Sequence, residues 1–418
     1  MDAASEPEGL NTEVATTRPG VPARSLDARL MRRVLAALGN PALEFQLAWT
    51  GERVFVPDLT PVGRVRIADR ATLLRIVSDP KVNFGDAYSS GKVEVEGDLV
   101  ELIKVIYGAA AEGRIGLVKR ALDAWRHRPS RNTLTGSRNN IHRHYDLGNS
   151  FYSLWLGRTM AYTCAYYPTA DTKLDDAQLA KMDHVCRKLQ LKPGDSVVEA
   201  GCGWGSLALH MASRFGARVR AFNISREQIA YAREQARAQG LDSRVEFVED
   251  DYRNITGHYD AFVSVGMLEH VGLENYAQLG RIARAAIGTD GRGLIHSIGR
   301  NFPASLHPWI ERRIFPGAYP PSIGQMMQIF EPAGLSVLDL ENIRLHYALT
   351  LRGWMALYER AAEQVRALFD EYFLRMWRLY LAGSIAAFES GTLQLFQVVF
   401  TAAENNRIPL TREYMYPR

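Results

Sequence analysis

From about Ile141 onward, short apolar runs alternate with amphipathic stretches, and that rhythm decides the fold class. Strands are expected at residues 196–199, 218–222, 245–248, 261–265, 294–298 and 335–340. Apolar residues at helical spacing place helices between them, most clearly over 226–239 and 276–287. Such alternation builds an α/β fold, a doubly wound and largely parallel sheet with helices on both faces. A long helical stretch at 349–388 then leads into a last apolar strand at 393–400, expected as an antiparallel edge strand.

Upstream the pattern is different. Residues 25–109 read as a smaller α+β domain. Leu26, Leu30, Val34 and Leu38 lie on one helical face. Alternating strands follow at 45–49 and 64–67, then a helix at 70–77 and a turn at Ser89-Ser90-Gly91. Residues 1–24, rich in Glu, Thr, Pro and Gly, read as a disordered tail with neither the basic nor the apolar part of a signal peptide. Residues 110–140 form a basic connector, in which Lys119, Arg120, Arg126 and Arg128 stand beside Leu117, Val118, Leu122 and Trp125. Two readings stay open for it: a solvated linker helix, or an interfacial segment with its cations on anionic headgroups. The remainder, 141–418, is the α/β domain.

Composition narrows the partners. A chain of 418 residues is long enough for two domains. A net charge of +4 is too mild to argue for nucleic acid. The three cysteines, Cys164, Cys186 and Cys202, form no C-x-x-C pair, so neither a zinc site nor a disulfide framework is expected, and a reducing cytoplasm fits. No apolar run reaches the length of a membrane helix, so any work on a membrane is expected at its surface.

The chemistry concentrates at Val197-Val198-Glu199-Ala200-Gly201-Cys202-Gly203-Trp204-Gly205, an apolar strand running into glycines at alternate positions. Glycines let the backbone turn and let a ligand approach where a Cβ would intrude. The spacing is G-x-G-x-G; the dinucleotide fingerprint would need glycine where Ser206 stands. S-adenosylmethionine is therefore favoured over a nicotinamide cofactor. A tight strand-to-helix turn without a ligand is the competing reading. Tyr145, Tyr152, Tyr162, Tyr166 and Tyr167 cluster just upstream, as packing residues or as aromatic faces able to stabilise a cation.

Several motifs in order resemble the cyclopropane-fatty-acyl-phospholipid synthase family. They are His144-Tyr145-Asp146-Leu147-Gly148-Asn149, Met160 to Tyr166, Gly201 to Gly205 and Asn223-Ile224-Ser225-Arg226-Glu227-Gln228. Gly266-Met267-Leu268-Glu269-His270-Val271-Gly272, Ile295-His296-Ser297-Ile298-Gly299 and Ile314-Phe315-Pro316-Gly317 continue the series. The resemblance implies a seven-stranded, Rossmann-like methyltransferase sheet. It implies an S-adenosylmethionine-dependent C-methyltransferase acting on the double bond of an unsaturated acyl chain in a phospholipid. The product implied is a cyclopropane, or an open-chain methyl-branched or methylene product by the same first step. The N-terminal domain resembles the family's lipid-handling domain through Phe84-Gly85-Asp86-Ala87-Tyr88 and Gly91-Lys92-Val93-Glu94-Val95.

The resemblance also implies site residues. A bound bicarbonate would be held by Cys164, Glu269, His296, Tyr347 and the backbone of Ile298. Tyr162 and Thr163 would touch the methionine end of the cofactor, and Gly201, Gly203 and Gly205 would pass beneath it. Asn223, Ile224 and Gln228 would read the ribose, and Asp251 and Tyr252 would lie near the adenine. Asn223 and Glu199 depart from the residues usual there, threonine and aspartate. No metal is implied. The expected setting is the inner face of the cytoplasmic membrane, with a phospholipid bilayer as partner and room for a homodimer. The competing classes are a small-molecule methyltransferase and a non-catalytic lipid-binding protein.

Overall fold

The structure, a computed structural model, describes residues 25–112 and 147–416. The N-terminal tail, almost all of the basic connector and the motif residues His144, Tyr145 and Asp146 lie outside the described residues. A four-stranded sheet comes first, from β1 (Glu44–Leu47), β2 (Arg53–Phe55), β3 (Gly63–Ile67) and β4 (Val93–Gly97), in the order β2-β1-β3-β4. The three-residue β2 is too short to carry a sequence pattern. Helices Leu26–Ala37, Arg70–Ser78, Pro80–Ser89 and Leu99–Glu112 accompany it. The first two begin where side chains satisfy open backbone donors: Ser25 accepts from the Ala28 amide at 3.0 Å and Asp69 from the Thr72 amide at 2.8 Å.

The second sheet has seven strands: β5 (Ser196–Ala200), β6 (Arg218–Asn223), β7 (Val245–Glu249), β8 (Ala261–Val265), β9 (Arg292–Gly299), β10 (Leu335–Asn342) and β11 (Gln394–Ala402). Their order is β10-β11-β9-β8-β5-β6-β7. Strands β5 to β9 pair in parallel, and β11 runs antiparallel to both its neighbours. The chain thus winds outward from β5 in both directions, and the crevice at the carboxyl end of β5 is where such sheets receive ligands.

One expectation is corrected here. The last strand is antiparallel but interior, seated between β9 and β10, and β10 is the edge strand. The residues give the physical reason. All nine positions of β11 are buried, as a strand covered on both faces and both edges requires, whereas in β10 only Leu335 and Asp339 are buried and the other six positions are partly or fully open. The long helical stretch is likewise three helices, Arg344–Arg360, Ala362–Leu368 and Glu371–Glu389. Asp370 starts the third by accepting from the Phe373 amide at 2.7 Å.

A continuous core joins the N-terminal unit to these last helices, uniting Leu43, Val65 and Leu102 with Trp354, Trp377 and Ile385. The Arg375 guanidinium donates to the carbonyls of Tyr88 (2.7 Å) and Val93 (2.8 Å) and lies 4.5 Å over the Tyr88 ring. Asp86 accepts from Trp309 Nε1 at 3.1 Å and pairs with Arg313 at 2.6 Å. Gly85 makes that junction possible, because a Cβ there would stand 2.4 Å from Trp309 Nε1. Gly85→Ala should therefore destabilise the protein by about 1–3 kcal/mol through overpacking, although alanine is the better helix former by about 1 kcal/mol. An unchanged urea midpoint in Gly85→Ala would show that Trp309 is free to yield.

Candidate active site

The loop after β5 is shaped by its glycines, but not all for one reason. A Cβ at Gly201 would meet Met267 at 2.9 Å, and one at Gly205 would meet Phe247 at 2.6 Å, so neighbouring side chains require glycine at both. At Gly203, with φ +54°, a Cβ would meet nothing within 4 Å. That position opens on empty space, the cradle expected of a cofactor loop. Asn223, at the end of β6, braces the loop: its amide nitrogen donates to the Gly203 carbonyl at 3.2 Å and to Gln228 Oε1 at 2.7 Å. Ile224 follows, and Ser225 caps the Arg226–Ala238 helix. After β7, Asp251 is buried and paired with Arg253 at 3.2 Å. Tyr252 packs into the core with its hydroxyl unpartnered, and the Arg253 guanidinium lies 5.1 Å from its ring centre. These residues all stand at the carboxyl edge of the sheet, as one group.

A cavity of about 870 Å³ opens beside this edge. Its wall brings together Tyr162, Thr163, Cys164, Glu269, His296, Ile298 and Tyr347, residues spread over almost two hundred positions of sequence. The rest of the lining is largely apolar, including Ile310, Phe315, Leu351, Phe388 and Leu395. The cavity and the glycine loop touch through one short chain of contacts. Thr163 borders Gly266, where a Cβ would stand 2.8 Å from Thr163 Cγ2, and the next residue, Met267, covers Gly201.

The segment carrying Tyr162, Thr163 and Cys164 is irregular, so side chains must hold it. The Leu174–Lys188 helix turns a buried polar stripe toward it. Gln178 donates to the Thr163 carbonyl at 2.8 Å, and Lys181 Nζ donates to Thr163 Oγ1 at 2.9 Å. The Tyr166 ring is stacked between His184 (4.3 Å) and His346 (4.7 Å). Thr350 accepts from the Ala165 amide at 3.0 Å. Burial pushes the Lys181 ammonium down and the Glu199 carboxyl up, and each charge partly offsets the shift of the other.

Glu269 sits in a short 3-10 turn, Leu268–His270, just beyond β8. Burial pushes its carboxyl up to about 7, against the lowering effect of backbone donors and Ser297. Its Oε1 accepts from the Ile298 amide at 2.5 Å, while its Oε2 is buried without a partner. The Ile298 backbone donor is thus already committed to Glu269. His296 stands on β9, and burial holds it well below its usual pKa, so it is neutral. The Gln397 amide donates to His296 Nδ1 at 3.1 Å, which leaves the ring proton on Nε2, itself buried and unpartnered. Burial also pushes the Cys164 thiol up, so it is no thiolate nucleophile; its Sγ donates to the Ala165 carbonyl at 3.1 Å. The Tyr347 ring stacks on Phe388 at 4.6 Å, and the Tyr162 and Tyr380 hydroxyls bond at 2.8 Å.

An unpartnered acceptor, Glu269 Oε2, and an unpartnered donor, His296 Nε2, therefore belong to two residues that line one cavity. Bicarbonate offers acceptor oxygens and one hydroxyl donor, so the pair fits it. Sequence reasoning missed Gln397, Lys181 and Tyr380. Gln397 carried a usable signal, a polar side chain inside a strand that otherwise packs; Lys181, on a helix rich in polar residues, carried none.

Residues 132–398, more than half of the chain, match the family described as mycolic acid cyclopropane synthetase. The chain belongs to that family. A cyclopropane-fatty-acyl-phospholipid synthase of Escherichia coli K12 is 39% identical over 270 residues, 64% of this chain and 69% of that protein. A Pseudomonas putida protein named "Probable fatty acid methyltransferase" is 37% identical over 381 residues, 88% of this chain and 95% of its own length. Among solved structures, the mycolic acid cyclopropane synthase CmaA1 complexed with SAH and CTAB superposes with a TM-score of 0.59 at 28% identity, covering 63% of this chain and 97% of that one. Residues 43–112 match a domain of unknown function. This family member is an S-adenosylmethionine-dependent methyltransferase with the Rossmann-like sheet that its motifs imply.

Proposed function

We propose that this chain transfers the methyl carbon of S-adenosylmethionine to the double bond of an unsaturated acyl chain in a membrane phospholipid, giving a cyclopropane. The observation that carries the reading is the unpartnered Glu269 and His296 pair on a mainly apolar cavity beside the glycine loop. The cofactor, when bound, supplies an electrophilic methyl. Glu269 and His296, with Cys164 and Tyr347 lining the same cavity, would hold a bicarbonate, which would supply a basic oxygen. The protein's part is to hold the alkene, exclude water and manage one proton. Tyr162, Tyr347, Phe315 and Phe388 line the cavity, and their π-systems would favour the carbocation formed on the acyl chain. Glu269 Oε2 is placed to accept a proton, and His296 Nε2–H to hold an anionic oxygen.

Expression in a host that lacks the family tests this directly. Unsaturated phospholipid acyl chains should each gain one CH₂, read by mass spectrometry. A cyclopropane product resists mild hydrogenation, whereas a branched alkene takes up hydrogen. The second reading is the open-chain product; the Pseudomonas putida relative is named a probable fatty acid methyltransferase. Acyl chains of unaltered mass would overturn both.

The reading also places the protein on the inner face of the cytoplasmic membrane. Among the described residues no helix is long and apolar enough to cross a membrane. Contact through the basic connector would be electrostatic, at about 1 kcal/mol for each cation near an anionic bilayer. Flotation with phosphatidylglycerol vesicles should then weaken as salt rises. Equal, salt-indifferent flotation with neutral vesicles would exclude that contribution.

A further inference from the structure

Strand β9 and the residue just beyond it set three side chains in a line. Alternate strand residues share a face, and His296, Ile298 and Arg300 all line the cavity. His296 and Ile298 lie at the chemistry already described. Arg300 has no role in it. Its Nε is buried without a partner, and among the described residues no carboxylate pairs with its guanidinium. The phenols of Tyr107 and Tyr319 are its neighbours. A half-buried guanidinium whose Nε is desolvated and unpartnered, in a mainly apolar cavity, is unfavourable unless an anion completes it. Its planar fork of donors matches phosphate oxygens. Lys81, from the N-terminal unit, lines the same cavity, and Phe302, two residues after Arg300, is 68% exposed on the loop at its rim.

We propose that Arg300 binds the headgroup phosphate of the lipid substrate and thereby sets which carbon of the acyl chain reaches Glu269 and His296. The inference rests on the acyl-chain reading above and adds the residue that measures the chain. Four residues of extended backbone separate Arg300 from His296 by about 13 Å. A lipid held by its phosphate at Arg300 therefore presents a carbon well inside the chain, not one beside the headgroup. Lys81 adds a second cation from the other unit, and Phe302 is placed to enter the lipid surface as the headgroup is drawn in.

The test compares the wild-type protein with Arg300→Gln and Arg300→Lys on two probes carrying the same monounsaturated chains, phosphatidylglycerol and diacylglycerol in mixed micelles. Wild type should favour phosphatidylglycerol in kcat/KM by at least about tenfold, because only that lipid carries the anion. Arg300→Gln should lose most of that preference with unchanged affinity for S-adenosylhomocysteine by calorimetry, and Arg300→Lys should keep part of it. Phosphatidylglycerols differing in double-bond position should be discriminated by wild type and accepted more evenly by Arg300→Gln. A full preference retained in Arg300→Gln would overturn the proposal. So would inorganic phosphate that competes as well as the lipid does, which would make this a free-phosphate site. If wild type alkylates neither lipid, the acyl-chain reading fails by itself. The Arg300 assignment is then decided by calorimetry with short-chain phosphatidylglycerol: weaker binding by Arg300→Gln supports it, and equal binding overturns it.

Discussion

Glu269→Gln should reduce alkylation by a factor of about 10²–10⁴, the range expected when a positioned acid–base group is lost, while S-adenosylmethionine binding stays unchanged. Glutamine keeps the size and the acceptor that Ile298 uses, but Oε2 loses its capacity to take a proton. The wild-type pH profile should carry the same signature. With the carboxyl pushed up to about 7, activity should rise through that pH and flatten above it; the residual activity of Glu269→Gln should lack the limb. Stability should move the other way. An unfolded Glu269 loses its proton near the ordinary glutamate value of 4.5, whereas the folded one keeps it until about 7. Across that window the unfolded state binds fewer protons, so stability falls as pH rises, and the glutamine variant is spared that loss. His296→Gln should also retain cofactor binding and lose most turnover. If deprotonation is separable from methyl transfer, both variants should shift the product from cyclopropane toward methyl-branched alkene. Unaltered turnover and product in both would remove this pair from the mechanism.

Gly203→Val should abolish cofactor binding. The position has a left-handed φ, so any side chain is strained by about 1–2 kcal/mol, and valine in addition fills the open space above the loop. Gly203→Ala separates these effects, since it carries most of the strain with one methyl group. Alanine should weaken binding, and valine should eliminate it, with comparable unfolding temperatures for the two variants. Calorimetry giving wild-type affinity in folded Gly203→Val would place the cofactor elsewhere.

Much of this was legible in the sequence because it depends on local pattern. The strand–helix alternation after Ser196 and the glycine spacing at 201–205 are local, and both correspond to observed elements. What was misread depends on neighbours. The apolar run of β11 reads as an edge strand, yet its lack of polar alternation is the mark of an interior strand, whereas β10, with only Leu335 and Asp339 buried, has the exposure of an edge. Asp370 would have divided the long helical stretch, had its capping been weighed against the apolar spacing. At the site, Gln397 is visible only as a polar residue in an apolar strand. Its partner His296 lies about a hundred residues earlier, and no spacing rule joins them. Tyr380 gave no signal, because its hydroxyl is fixed by Tyr162 across the fold.

The interior seat of β11 has a consequence for how the protein is made. Synthesis delivers β9 well before β11, and during that interval β9 has β8 on one side and an open edge on the other. The nascent chain therefore carries His296 without its Gln397 partner, on a strand free to pair with any other exposed edge. The pairing that closes this gap spans a long stretch of sequence and should form late. A ribosome stalled before residue 394 would hold a chain with its glycine loop complete and its histidine still untuned.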